Sequence, residues 1–438
     1  MKYLVRGAHV VDPANGTDGV KDLLVEGGLI AAVSDSVDAP GVPVVDAGGL
    51  HLFPGLVDIH VHFREPGQEY KEDIASGSRA AAAGGFTSVA CMPNTAPVID
   101  NAEIASYLLK KAREAAVCRV YPVGAISRGQ KGEDLAAIGE MAEAGCVAIS
   151  DDGRPVESAM LMRRAMEYSK AFGLTVISHP EDMTLARGGQ MNEGEVSTVL
   201  GLTGIPAEAE EIMVARDILL ARLTGAKVHL AHLSTAGSME LLKWGKERGI
   251  GVTGETAPHY FTLTEEMLHS FDPVYKMNPP LRTRADLEAV RKALADGTAD
   301  AIATDHAPHA SDEKEREFEA APNGVIGLET SLPLGLALVA EGVLTLPALI
   351  RLMSFNPARI LGLRAGSLAP GMPADFVLAD LSARFAVDPG TFFSKSKNCP
   401  FAGMKLVGRA VKTFAGGRLV YDSGRVTAEN LEKAEYPQ

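Results

Sequence analysis

Period-two alternation of apolar and polar residues marks both ends of the chain, and a different rhythm fills the middle. Near the N-terminus, "YLVRGAHVVD", "DLLVEGG" and "LIAAVS" alternate like strands, with Asn15-Gly16 and Gly27-Gly28 as turns between them. "ADFVLADL", "KLVGRAVKTFAGG" and "RLVYDSGRV" repeat the pattern near the other end. The two ends, residues 1–50 and 366–438, are therefore expected to build one small β domain together. Between them, apolar runs of strand length alternate with Ala-, Leu- and Glu-rich helical stretches, the pattern of βα repeats and a parallel sheet. The strands are predicted over 52–63, 86–94, 118–126, 146–152, 174–180, 227–234, 250–260 and 300–309. Eight βα units within residues 51–365 fit an α/β fold, the TIM (β/α)8 barrel, in number and size. An open doubly wound sheet is the alternative, but no G-x-G-x-x-G follows an early strand.

Polar residues gather where these strands end. His60 and His62 close the first, Asn94 the second, Asp151 and Asp152 the fourth, and His179 the fifth. His232 lies late in the sixth, and Asp305 with His309 closes the eighth. Barrel closure brings the carboxyl ends of all eight strands together, so histidines scattered for packing would have no reason to collect there. Imidazole nitrogen and carboxylate oxygen are ligands that zinc takes. Four histidines and two aspartates exceed what one ion needs; they suit two ions about 3.5 to 4 Å apart sharing a carboxylate and a hydroxide, or one ion with spectators.

Alternation along a strand sorts the neighbours. His60 and His62 share a face, and Arg64 extends that face by one more step. His229 and His232 are three apart, so His232 is expected in the site and His229 against the outer helices. Only one of Asp151 and Asp152 faces inward, and periodicity does not choose between them. His306 should point away from Asp305, and His259 is left between a structural and a supporting role. His9, His51 and His269 read as incidental. Arg64 has a plainer reading as a partner of Glu65 or Glu69. The run "SDEKEREFEA", Ser311 to Ala320, is either a solvated face or a mobile loop over the site.

Composition narrows the function further. The 42 basic and 56 acidic residues give a formal charge of -14 over 438 residues, with no basic patch to hold nucleic acid or an anionic membrane. Four cysteines, Cys91, Cys118, Cys146 and Cys399, lie far apart without a C-x-x-C pair, which fits a reducing cytoplasm and neither a disulfide framework nor a thiolate metal site. The N-terminus does not read as a signal peptide. "LPLGLALVAEGVLTLPALI", Leu332 to Ile350, is broken by Glu341 and Pro347 and reads as a buried helix pair, not a membrane span.

In order along the chain, "DIHVHFRE", "MPNT", "SDDG", "SHPED", "HLAHLS", "KMNPPLR", "TDHAPH" and "GVIGLET" resemble the amidohydrolase superfamily, and within it the type-I bacterial dihydroorotases. The flanking β segments resemble the composite β-sandwich domain of those enzymes. The resemblance implies two zinc ions per subunit, with His60 and His62 on one, His179 and His232 on the other, and Asp152 bridging. It implies Asp305 as ligand and acid/base, Arg64 and Asn94 on the substrate carboxylate, and Asn278 and His309 as further substrate contacts. Hydantoinase, dihydropyrimidinase and allantoinase resemble the chain in fold but bridge their metals with a carbamylated lysine; "AISDDG" offers none at the end of strand four. Some relatives carry cysteine after the strand-five histidine, where Pro180 stands here. The implied reaction is attack of a bridging hydroxide on the ring carbonyl of dihydroorotate, reversible from N-carbamoyl-L-aspartate, in pyrimidine biosynthesis. A homodimer and an association with aspartate transcarbamoylase are implied as partners. A different cyclic amidase, or a non-catalytic partner of the transcarbamoylase, is the competing reading; the latter would lack the metal ligands.

Overall fold

Gly55 divides what the sequence reads as one strand. The run expected over 52–63 is two elements, His51–Pro54 and Leu56–Val61, which belong to different sheets. A Cβ on Gly55 would lie 2.1 Å from Thr87 Oγ1, so only glycine lets the chain pass this close to its neighbour. The structure, a computed structural model, describes residues 1–427.

Leu56–Val61 starts a parallel eight-stranded sheet. It continues through Phe86–Cys91, Arg119–Gly124, Ala148–Ser150, Thr175–Ser178, Val228–Leu230, Val252–Thr256 and Ala301–Ile302, each beside its predecessor. Val61 bridges His306 in parallel, and His62 N–H donates to His306 O at 2.9 Å, so the first strand meets the last and the barrel closes. Every predicted strand region is present, but several are shorter than their apolar runs. The eighth, expected over 300–309, is ladder only at Ala301–Ile302, because the chain beyond it turns into the site.

The inner face carries small and branched residues, among them Val57, Ile59, Ala90, Ala148, Ile177 and Ala301. Intervening residues such as Val89, Ile149, Val176 and Ile302 pack outward in the largest apolar cluster. Helices return the chain between strands, and their ends follow capping chemistry. Asp73 accepts from Ser76 N at 2.7 Å to start Ile74–Gly84, and Gly85 ends it at φ 91°. The expected helix pair is Ser331–Ala340 and Leu346–Ile350, the first ending at Glu341 and the second capped by Thr345 with Pro347 in its first turn. Among the described residues, no helix is long and apolar enough to cross a membrane.

Both chain ends share a nine-stranded mixed sheet. Lys2–Asp12 pairs with Thr17–Glu26 and with His51–Pro54, and His51–Pro54 pairs with Phe376–Ala386 from the other end. A buried ion pair between Arg119 of the third barrel strand and Asp375 fastens this sheet to the barrel.

Candidate metal and substrate site

Three breaks in strand alternation build the site. In the first barrel strand, Val57 and Ile59 face inward, so simple alternation would turn His60 outward. Pairing with the second strand shifts register between Asp58 and Val61, and this irregularity resets the phase so that His60 and His62 both face the barrel axis. Their rings stand 5.4 Å apart. Asp58 braces the bulge, accepting from His60 N at 3.1 Å and from Thr304 Oγ1 at 2.6 Å. The other breaks are residues with left-handed backbone, His232 at φ 37° and Asp305 at φ 46°, joined by Arg64 at φ 61°. Non-glycine residues seldom adopt this region, and its concentration here is strain held where chemistry would use it.

These breaks bring six predicted residues together. Asp152 Oδ1 lies 3.2 Å from His60 Nε2, 3.5 Å from His179 Nδ1 and 3.4 Å from His232 Nε2, while its Oδ2 lies 3.4 Å from His62 Nε2. Asp305 Oδ1 is 3.1 Å from His62 Nε2 and 3.7 Å from His60 Nε2. All six are buried. Asp151, the neighbour that periodicity could not exclude, turns away and accepts from Ile126 N and Ser127 N at 2.8 and 3.0 Å. His306 also points away, toward Glu72 at 3.4 Å.

Three of the four histidines have a partner on the far side that fixes which nitrogen looks inward. His60 Nδ1 donates to Glu255 Oε1 at 2.7 Å, His62 Nδ1 to Asn94 Oδ1 at 2.8 Å, and His179 Nε2 to Glu181 Oε2 at 3.2 Å. Nε2 of His60 and His62 and Nδ1 of His179 are left for the centre. Among the described residues, His60 Nε2 and Asp152 Oδ1, though close, make no hydrogen bond, and His232 Nδ1 is buried without a partner. Buried orphans that face one another, as His60 Nε2 and Asp152 Oδ1 do at 3.2 Å, are what a metal-binding pocket presents.

Electrostatics point the same way. Burial opposes ionisation of Asp152, but the surrounding imidazoles of His60, His179 and His232 hold it well below the usual carboxylate range. Burial likewise opposes ionisation of Asp305, yet His62, His60 and His232 lower it to about 2. Burial pushes the pKa of His259 down to about 4. That histidine is fully enclosed beside Tyr260, its Nε2 has no partner among the described residues, and it is not among the clustered ligand atoms there.

The proposed substrate groups rim this cluster. Arg64 is buried with Nε donating to Pro308 O at 3.1 Å; Glu65 instead accepts from Ile74 N, and Glu69 from Gly67 N. Asn278 Nδ2 donates to Glu181 Oε2 at 3.0 Å while its Oδ1 has no partner among the described residues. His309 Nε2 donates to Asn323 O at 2.8 Å. A cavity of about 760 Å³ opens beside them, lined in part by Gly153, Glu181, Asn278 and Asn323.

One expectation needs correcting. His229 does not pack against the outer helices: it faces inward beneath the site, Nε2 on Glu255 Oε2 at 3.1 Å and Nδ1 accepting from Thr253 Oγ1 at 2.8 Å. Alternation does separate residues three apart, but the left-handed backbone at His232 returns that side chain to the face His229 already occupies. Glu255, which links His229 to His60, has no role in the sequence reading. Its signal was a lone carboxylate in "VTGET", a strand otherwise free of charge. Glu181 was equally legible, two residues past His179 and so on the same face. His9, His51 and His269 lie outside the cluster, the first two stacked on the terminal sheet.

Known proteins bear on this geometry. Residues 49–238 match the dihydro-orotase-like family model, and residues 282–421 match the amidohydrolase family. A dihydroorotase of Geobacter sp. (strain M21) is 56% identical over 97% of this chain and 100% of its own length. A dihydroorotase of Acetivibrio thermocellus is 53% identical over 95% of this chain and 98% of its own. Among solved structures, L-hydantoinase from Arthrobacter aurescens superimposes with a TM-score of 0.89 at 27% identity, covering 98% of this chain and 97% of that one. Dihydropyrimidinase from Brevibacillus agri shares the fold at TM-score 0.86 and 22% identity, with both chains covered in full, 100%.

Proposed function

The chain belongs to the dihydroorotase family, and from that premise we propose that it interconverts (S)-dihydroorotate and N-carbamoyl-L-aspartate in pyrimidine biosynthesis. The observation that carries this reading is a buried arginine, Arg64, beside a converging histidine and aspartate cluster. The orphaned His60 Nε2 and Asp152 Oδ1 fit a divalent cation, and nitrogen with carboxylate donors fits zinc. Two zinc ions would be held, one by His60, His62 and Asp305, the other by His179 and His232, with Asp152 shared. Support for sharing comes from the separate neighbours of its two oxygens, Oδ1 beside His60, His179 and His232, and Oδ2 beside His62. When bound, the metal supplies Lewis-acid chemistry, polarising the amide carbonyl and acidifying the attacking water.

The remaining work falls to side chains. Arg64 would bind the ring carboxylate, its planar fork making paired, charge-assisted hydrogen bonds, with Asn94 and His309 at its sides. Asn278 Oδ1 is free to accept from a ring N–H. Asp305, a carboxylate at neutral pH, would take the proton of the attacking water as the C–O bond forms and return it to the ring nitrogen as the C–N bond breaks. The reverse sequence closes the ring. A buried cation beside the cluster favours an acidic ring over hydantoin, dihydrouracil or allantoin.

Zinc-loaded protein should turn over dihydroorotate and leave those three rings, which carry no carboxylate, nearly untouched, with about two zinc ions per chain by metal analysis. No turnover of dihydroorotate would sink the proposal, as would full activity in Asp305→Asn.

A further inference from the structure

The segment following the eighth strand contains a feature that the reaction does not use. Lys314 ends the short helix Ser311–Lys314 within the charged run read above as a solvated face or a mobile cover, yet it is only 8% exposed. Its ammonium donates to Lys276 O at 3.2 Å, Pro322 O at 3.0 Å and Gly324 O at 3.1 Å. An ammonium has three protons, and three carbonyls take them; no ion pair links Lys314 to a carboxylate among the described residues. Lys276 reciprocates, its own ammonium donating to Phe318 O at 2.7 Å and Glu319 O at 3.0 Å. Two buried lysines thus stitch residues 314–324 onto the segment that follows the seventh strand.

Both stitched segments lead to the substrate side of the site. Asn278 lies two residues beyond Lys276. Asn323, between the two carbonyls that Lys314 holds, offers its own carbonyl to His309 Nε2 at 2.8 Å. Packing there has no slack: Gly324 sits at φ 133°, and a Cβ on it would come within 3.1 Å of His309 Nε2 and 2.9 Å of Ala307 O. Glu313, the residue before Lys314, ties the same turn to Lys71 at 3.0 Å, on the segment that follows Arg64.

We propose that Lys314 is a positioning residue for substrate binding: caged by the carbonyls of Lys276, Pro322 and Gly324, it locks the segments after strands seven and eight together and so holds Asn278 and His309. The assignment rests on the dihydroorotase reading for those two contacts. It makes this run an anchored rim, since releasing it would require stripping three carbonyls from a buried cation.

The test is Lys314→Met, with Lys314→Gln as the milder change, both in the full zinc-loaded chain. Misplacing two substrate contacts should raise KM for dihydroorotate about 10-fold in the Met variant and less in the Gln variant, with kcat within about threefold. Zinc per chain should match wild type, and amide hydrogen exchange over residues 309–324 should quicken. An unchanged KM in a folded variant overturns the proposal. So does a parallel loss of zinc and kcat, or failure of both variants to fold, because Lys314 would then serve general stability. If wild type itself fails to turn over dihydroorotate, the functional reading falls, while the exchange measurement still judges the clamp separately.

Discussion

Two histidine pairs in this protein look alike in ring spacing and differ in everything that decides chemistry. His9 and His51 stack on the terminal sheet with centroids 4.9 Å apart; His179 and His232 in the barrel stand 4.7 Å apart. On the sheet, His9 is 41% exposed at its side chain and meets one carboxylate, Asp18, at 2.6 Å. In the barrel, both rings are nearly closed to solvent, share Asp152 Oδ1, and lie in a chamber with two more imidazoles and Asp305. A histidine pair in water binds a stray ion weakly, because water already satisfies the ring and nothing pre-orients it. Buried rings that have given one N–H to Glu181, Glu255 or Asn94 have a single direction left for the other nitrogen.

That contrast breaks most easily at the shared carboxylate. Asp152→Ala should lower kcat/KM by about 10³-fold or more and release bound zinc, read by metal analysis and by turnover of dihydroorotate. Arg64→Met comes next: zinc should be retained, while KM for dihydroorotate rises by about 100-fold from loss of a charge-assisted carboxylate contact. Glu255→Gln keeps the volume and one acceptor but loses the charge that orders His60, so chelator competition should show zinc held about 10-fold more weakly. At the far end of the scale, His9→Ala and His51→Ala should leave zinc content and turnover unchanged and shift stability by no more than about 1 kcal/mol in urea unfolding. Zinc loss in either sheet variant would erase the distinction between the two pairs.

Much of the barrel is legible without coordinates because its rhythm is local. Apolar runs separated by helical stretches count out eight strands, and polar residues at their carboxyl ends mark one rim. Asn94, His179, Asp305 and the undivided pair Asp151 and Asp152 are readable on that ground, since closing a parallel barrel must gather the ends. Gly55 shows where such reading stops. A single apolar run from 52 to 63 gives no sign that it serves two sheets, because the division comes from Thr87 crowding the backbone from a different strand. Glu255 is hard to read from sequence for a related reason: its worth lies in reaching His60 of strand one and His229 of strand six at once, across the barrel interior.

By itself, then, the sequence determined the repeat, the strand count, the rim on which chemistry would sit and the residue types available there. Tertiary structure alone decided orientation: which of Asp151 and Asp152 turns inward, why His60 does so despite following Ile59, and why His232 joins His229 on one face. The physical reason is that alternation is a property of a few consecutive residues, whereas a bulge or a left-handed residue that resets it is held in place by neighbours distant in the chain. Asp58 gripping Thr304, and Val61 meeting His306, hold the phase of the first strand from the far end of the barrel.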